Sequence, residues 1–133
     1  MNPEELQAVG MWAAENREIR WEIVRHDDGT YACVVDETYD DVRKETLYKG
    51  TWGIRSGVYY YLDLESSDPD ADFSLEPVYE VVVLSSFDEF NTKGEGLDGN
   101  VLFSNERRVE KFKMNGWKND RWGANQTGDG NYE

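Results

Sequence analysis

The 133-residue sequence has one cysteine, one histidine and no apolar run of the length that spans a membrane. The single cysteine, Cys33, excludes an internal disulfide, and its place in an alternating run predicts a buried small hydrophobe rather than a reactive thiol. His26 precedes Asp27 and Asp28 at a predicted hairpin turn, which favours an exposed imidazole over a general base. Since the sequence also lacks a Gly-x-Ser-x-Gly elbow and a phosphate-binding glycine loop, we expect no catalytic residues and no enzymatic activity.

Positive charge is scarce: 14 Lys and Arg stand against 28 Asp and Glu, for a formal net charge of -14 at pH 7. Repulsion by phosphates argues against a nucleic-acid partner and against an anionic membrane surface. The stretch from Ser56 to Thr92 has no Lys or Arg, whereas basic residues gather between positions 107 and 121. This asymmetry predicts either an acidic surface for a basic protein partner or self-association, or simply charge balance between neighbouring strands. The candidate partner-binding residues are Asp40, Asp41, Asp68, Asp70 and Asp72.

No metal or cofactor site is predicted. Asp68, Asp70 and Asp72 have the alternating spacing of a calcium loop, which also requires Gly at its sixth position and Glu at its twelfth. Those two positions hold Phe73 and Tyr79. The segment is therefore interpreted as a solvated acidic loop.

The first ten residues, MNPEELQAVG, predict one short helix. Asn2 is placed as an N-cap, Pro3 stands at the first helical position and Gly10 is where the helix would stop. The same segment lacks the basic region and apolar stretch of a signal peptide, but a leader removed before this start would leave the same sequence. Localisation stays open.

Strict alternation dominates the next fifty residues and predicts two β-hairpins. Their turns are Asp28-Gly29 and Ser56-Gly57, residues that tolerate the positive φ of a tight turn. On the first strand Glu18, Arg20 and Glu22 form the polar face. The apolar face of the four strands is predicted to consist of Ile19, Trp21, Ile23, Tyr31, Cys33, Val35, Tyr48, Trp52, Ile54, Val58, Tyr60, Leu62 and Leu64.

The second half continues in strands. VYEVVVLSSF is apolar on both faces from Val81 to Leu84, which predicts either neighbours on either side or a shared barrel interior. VLF at 101–103 predicts a short strand, and SNERRVEKFKM at 104–114 favours a last strand although Val109 and Phe112 also fit a helix. The residues after about 123 are expected to fray. Neither a repeat nor a linker divides the chain, so residues 1–133 are predicted to form a single domain.

About eight short strands with tight turns predict an all-β fold, an antiparallel meander closed into a barrel, because closure removes exposed edges. A flat sandwich is the alternative. A short helix followed by Gly10-Met11-Trp12 and successive hairpins resembles lipocalin-like (calycin) β-barrels, including small bacterial ones of unassigned function. The resemblance implies that Trp12 closes one end of the barrel and that an Arg from a late strand, Arg107 or Arg108, packs across it.

The aromatic residues carry the functional hypothesis. Trp12, Trp21, Trp52 and Tyr60 lie on predicted apolar phases, where such rings either line a ligand cavity or fill a narrow barrel. We expect a non-enzymatic binding module for a small apolar or amphipathic ligand. The alternative is a solid barrel whose acidic loops bind a basic protein, in the manner of an inhibitor or immunity protein. The strand carboxylates that could point into the barrel are Glu22, Asp63 and Glu80.

Overall fold

The computed structural model describes residues 1–15, 18–96 and 98–118, and its strands close into one antiparallel barrel. The elements are α1 (Pro3–Ala8), β1 (Gly10–Glu15), β2 (Ile19–Arg25), β3 (Thr30–Tyr39), β4 (Val42–Arg55), β5 (Val58–Ser66), β6 (Val78–Ser85), β7 (Glu89–Glu95), β8 (Val101–Arg108) and a 3-10 turn (Asn115–Lys118). Each strand pairs with the next, and β8 pairs with β1. This order confirms the all-β class, the eight-stranded closed meander and the short N-terminal helix. The segment expected to fray lies outside the described residues.

Helix α1 forms through the predicted cap and covers one end of the barrel. Asn2 accepts a hydrogen bond from the Glu5 backbone N–H at 2.8 Å, and the Glu5 carboxylate accepts one from the Asn2 N–H at 3.0 Å. The same two side chains bind the backbone of Ile54 on β4. We call this the α1 end. The opposite end, here called the acidic end, has the turn at Asp40-Asp41 and the loop 67–77.

Gly10 begins β1 for a steric reason that the helix-stop prediction did not include. Its φ is 124°, in a region that favours glycine. A Cβ at this position would overlap Arg108 Nη1, so any side chain here would displace the guanidinium. Gly10 therefore both turns the chain out of α1 and leaves room for the Arg108 guanidinium.

The barrel interior is packed with the predicted apolar faces of β2, β3 and β4. Its buried members are Ala8, Trp12, Ile23, Tyr31, Cys33, Trp52, Ile54, Tyr59 and Phe90, with Val9, Trp21, Val35, Tyr48, Tyr61 and Val82 partly buried against them. On β5 the predicted phase is wrong. Tyr59 and Tyr61 face inward, whereas Tyr60 faces outward against Tyr79, with ring centroids 6.3 Å apart. Because three tyrosines follow one another, the sequence pattern does not decide which of them face inward. With Tyr59 inward, its hydroxyl accepts a hydrogen bond from the buried Arg25.

A second core lies on the outer face of the barrel. After β8 ends at Arg108, the chain crosses β1 to β4 from outside, so the prediction of a strand is wrong beyond that residue. Phe112, Met114 and Trp117 cover a patch of apolar side chains, and the Phe112 and Trp117 rings stack at 4.3 Å. The covered residues are Val24, Ala32, Val34 and Leu47. Burying these rings against the sheet compensates for the loss of strand pairing.

Glu22 faces this outer core, on the side of β2 opposite Trp21 and Ile23 as the alternation predicted, so the alternative that it points into the barrel is wrong. Glu22 is only 5% exposed, and its buried carboxylate accepts hydrogen bonds from the backbone N–H groups of Lys113 and Met114 and from Trp117 Nε1, all at 2.9 Å. Glu45 similarly accepts one from the Gly116 N–H at 2.6 Å. Two carboxylates thus fasten the segment 109–118 to the barrel.

β6 has a neighbouring strand on either side, as predicted, and Val82 packs against the barrel interior, but the outer face of the strand is open. Val81 and Val83 are about half exposed, rather than covered by a neighbouring layer. Within the described part of the chain, the apolar residues on the outer face of β6 are therefore not buried.

Candidate functional site

The α1 end of the barrel is closed by Trp12 and by Arg108, the second of the two predicted arginines. The Arg108 guanidinium carbon lies 4.2 Å from the Trp12 ring centroid and 4.6 Å from that of Phe87. Its three nitrogens donate to the carbonyl oxygens of Phe87, Val9 and Gln7 at 2.5 to 2.9 Å. This side chain therefore joins β8 to the α1–β1 connection.

Trp12 and Trp52 are components of the packed interior at this end. Their rings are 0% and 4% exposed, and their indole N–H groups are both used by backbone carbonyls. Trp12 donates to Ala8 at 2.9 Å, and Trp52 donates to His26 at 3.1 Å. The structure thus places these two predicted ligand-binding residues away from any described opening.

The middle of the barrel contains a buried ion pair. Arg25 donates to both oxygens of Glu106, at 2.7 and 3.2 Å, and also to the hydroxyl of Tyr59. Its guanidinium lies 4.8 Å from the ring centroids of Tyr59 and Phe90. Burial alone would lower the pKa of Arg25, but the adjacent carboxylate more than offsets this and raises it. The guanidinium is therefore charged, and both side chains of the pair are enclosed by the barrel.

Toward the acidic end the interior becomes more polar. Asp63 accepts from the Tyr31 hydroxyl, and Glu80 accepts from Thr92 Oγ1 at 2.7 Å, so these two carboxylates do point inward as predicted. Burial raises the pKa of Asp63, and it also raises that of Glu80 despite the hydrogen bond from Thr92. Burial likewise raises the pKa of Tyr61 to about 12.

The barrel has an incomplete seam between its first and last strands. β1 pairs with β8 at Trp12–Arg108 and Ala13–Arg107, and among the described residues this pairing stops there. Both strands extend further, since β1 runs to Glu15 and β8 starts at Val101. The strands therefore separate toward the acidic end.

A cavity of about 690 Å³ lies at this seam. Trp21 is the one predicted ligand-binding residue that lines it. The ring of Trp21 packs against the interior cluster, and its Nε1 donates to Glu106 at 2.9 Å, so the indole separates the cavity from the buried ion pair. The remaining lining residues are Ala13, Ala14, Glu15, Arg20, Glu22, Glu45, Asn105, Arg107, Val109, Lys113, Met114 and Asn115.

The cavity wall combines apolar side chains with six charged ones, and three of these form ion pairs or hydrogen bonds with described residues. Arg20 binds Asp36 at 2.6 Å, while Glu22 and Glu45 accept the backbone hydrogen bonds of the segment 109–118. Arg107 and Lys113 are exposed, and neither forms an ion pair with a carboxylate among the described residues. The wall can therefore contact an amphipathic molecule, apolar part against Trp21 and polar part at the rim.

The sequence did not indicate this cavity, because it depends on where two strands part and on a segment that crosses outside the barrel. The apolar part of its lining was predictable, since Trp21 lies on a predicted apolar phase and the small residues Ala13 and Ala14 leave space beside it. The rim residues Arg107 and Lys113 lie in a basic stretch whose sequence does not indicate a cavity.

The predicted acidic residues lie at the acidic end, away from the seam. Asp40 and Asp41 form the β3–β4 turn with φ of 49° and 65°. Asp68 is 3.9 Å from Lys44 Nζ and accepts from the Asp70 backbone N–H, while Asp70 and Asp72 are exposed. In the described ranges, no group of three or more His, Cys, Asp and Glu is arranged to hold a metal ion.

Within those ranges, no helix has both the length and the apolar character needed to cross a membrane. Comparisons of the chain with protein-family models, with curated proteins and with solved structures find no match. The class of the molecule is therefore defined by its own architecture. It is a closed eight-stranded antiparallel barrel with a short N-terminal helix, an arrangement compatible with a lipocalin-like barrel.

Proposed function

We propose that the protein is a lipocalin-like, non-enzymatic binding module that holds a small apolar or amphipathic ligand in the seam cavity. The observation that carries the proposal is a cavity of about 690 Å³ with the half-buried ring of Trp21 as its floor. Small-molecule sites are concave, mostly apolar and about this large, with a few polar groups that set orientation. The seam supplies the concave shape, the size and the polar groups, and its apolar contacts come from five of the thirteen lining residues: Ala13, Ala14, Trp21, Val109 and Met114.

Within this proposal the three other predicted aromatic residues have different positions. Trp12 and Trp52 fill the α1 end and support the fold, and Tyr60 lies on the outer face of β5. The ligand is thus expected at the side of the barrel rather than deep along its axis. The stacking of Arg108 on Trp12 supports the lipocalin-like assignment, as the resemblance of Gly10-Met11-Trp12 implied.

Native mass spectrometry on protein purified gently from its own host tests the proposal. A bound small molecule should add a few hundred daltons, as expected for a ligand that fits a cavity of this order. Ala13→Phe fills the cavity from β1 and should reduce the bound fraction about tenfold or more, since the ligand's space is removed. Trp21→Phe should weaken binding less, because it keeps an apolar ring.

Thr51→Phe is the matched control, because it adds the same ring at an exposed position on β4. It should leave the bound mass unchanged. Protein that carries no ligand in any form, or a ligand retained fully by Ala13→Phe, would contradict the proposed site.

A further inference from the structure

The outer face of β5 to β8 carries an exposed apolar surface, although the chain as a whole is strongly acidic. We define the apolar face as Tyr60, Tyr79, Val81, Val83, Val101 and Phe103. Five of them, all but Tyr60, are between 48% and 62% exposed. Contiguous exposed apolar surface of this kind marks an interaction site on a soluble protein.

The strand register makes these residues one surface rather than scattered positions. Val58 is paired with Val81, Val81 with Lys93, and Lys93 with Phe103, so one row crosses four strands. In the next row Tyr60 is paired with Tyr79, and their rings are 6.3 Å apart. A groove of about 300 Å³ runs between these rows, and its wall combines apolar with charged residues: Val58, Tyr79, Glu80, Val81, Lys93, Gly94, Glu95 and Val101. A partner could therefore contact both rows at once.

Charge around the apolar face determines which occupant fits. The chain from Ser56 to Thr92 contains no Lys or Arg, and the strand ends beside the face carry Glu76, Asp88, Glu89 and Glu95. These four carboxylates outnumber the one cation in the row through Val81 and Phe103, the exposed Lys93. A second copy, with a formal net charge of -14, would be repelled, and so would an anionic membrane. A basic partner would instead be attracted while its apolar side chains cover the face.

We propose that the apolar face is a docking surface for a basic protein, with Val81 and Phe103 at its centre and the surrounding carboxylates steering the encounter. This interaction is separate from the proposed ligand binding, because the seam cavity is lined by β1, β2, β4, β8 and the segment 109–118 and shares no lining residue with the face. The carboxylates Asp40, Asp68, Asp70 and Asp72 at the acidic end then act as contributors to the long-range field rather than as the contact.

Site-specific photo-cross-linking in the protein's own host tests the docking surface. Val81 is replaced by p-benzoylphenylalanine, and the same residue at the exposed position Thr51 on β4 serves as the control. We expect the Val81 probe to give one cross-linked protein with a basic isoelectric point, and the Thr51 probe to give none. A cross-link to a second copy, to lipid, to an acidic protein, or none at all would overturn the proposal.

Binding measurements with the purified partner then test whether the apolar face itself contributes to the affinity. The double variant Val81→Thr, Phe103→Ser should bind at least about tenfold more weakly, and raising NaCl from about 0.05 to 0.5 M should weaken the wild-type complex similarly. Unchanged circular dichroism shows that the variant is folded. Ala13→Phe should leave this binding intact, so failure of the ligand-binding proposal and failure of this one are distinguishable. Equal affinity of the double variant and wild type would overturn the docking surface.

Discussion

Arg108 is the residue whose single side chain joins the most distant parts of this chain. It stacks on Trp12 and donates to three backbone carbonyls, and Gly10 has no side chain where its guanidinium lies. Gly10 and Trp12 thus both serve the contact with Arg108: Gly10 leaves space for the guanidinium, and Trp12 supplies the ring on which it stacks. The resemblance carried by Gly10-Met11-Trp12 implied the role of Trp12 and left Arg107 and Arg108 as its possible partners. Strand alternation puts only one of these two arginines on the inner face, and the contact is made by Arg108.

Replacing Arg108 by Ala is expected to lower the free energy of unfolding by about 2 to 4 kcal/mol. The cation-π contact and hydrogen bonds from a charged donor are both lost, and three carbonyls lose a partner. Urea denaturation checks this. Arg107→Ala is the matched control, since that side chain is exposed, and should change stability by no more than about 0.5 kcal/mol. Equal effects of the two variants would contradict the assigned role.

Asp63 and Glu80 make a second prediction, for the pH dependence of stability. Burial raises the pKa of both carboxyls in the folded barrel above their ordinary values. The native state therefore binds more protons, so their contribution to the unfolding free energy rises as pH falls from 7 toward the unfolded-state values of about 4. Asp63→Asn combined with Glu80→Gln should flatten this rise.

Denaturation of both proteins at pH 7, 6 and 5 measures the difference in slope, and the comparison removes the contribution that net charge makes to both. Asp36 acts in the opposite direction at lower pH. Although its burial opposes ionisation, hydrogen bonds from Arg43 and Arg20 lower its pKa, so its stabilisation is lost only as the pH falls below about 4. Parallel curves for wild type and variant would contradict the assignment.

At the scale of elements, the segment 109–118 is what the sequence predicted least well. Its basic residues and its apolar Val109 and Phe112 fit either a strand or an α-helix, and neither forms: the segment crosses the outer face and ends in the 3-10 turn Asn115–Lys118. The deciding interactions are long-range: three donors converge on Glu22, and two rings stack over β2 and β3. The hairpins of β2–β3 and β4–β5 were predictable because their turns and alternation are local.

Glu22→Gln is expected to destabilise the protein by about 2 to 3 kcal/mol. The amide loses the charge that strengthens three hydrogen bonds and turns an NH2 group toward N–H donors. Glu18→Gln, at an exposed position just before β2, should have almost no effect. Thermal unfolding of the two variants checks the prediction, and limited proteolysis should cut Glu22→Gln first within residues 109–118. Indistinguishable melting curves would show that the carboxylate does not fasten this segment.

For the whole molecule, the sequence predicted the closed eight-stranded barrel, because alternation, turn residues and the need to remove exposed edges all act together. It could not predict which part of the surface is concave or apolar. β5 shows the reason, since three adjacent tyrosines allow either phase and only the buried Arg25 selects between them. The seam cavity and the apolar face are likewise consequences of strand register.

The measurement that tests the seam cavity most directly is an NMR titration that follows the indole N–H signals. The protein is labelled with ¹⁵N-tryptophan, and N-phenyl-1-naphthylamine is added as a small apolar probe. If the ligand occupies the cavity, the Trp21 signal should shift in a saturable way, while those of Trp12 and Trp52, whose N–H groups are held by backbone carbonyls, stay in place. A Trp21 signal that does not move, or shifts confined to Trp12 and Trp52, would contradict ligand binding at the seam.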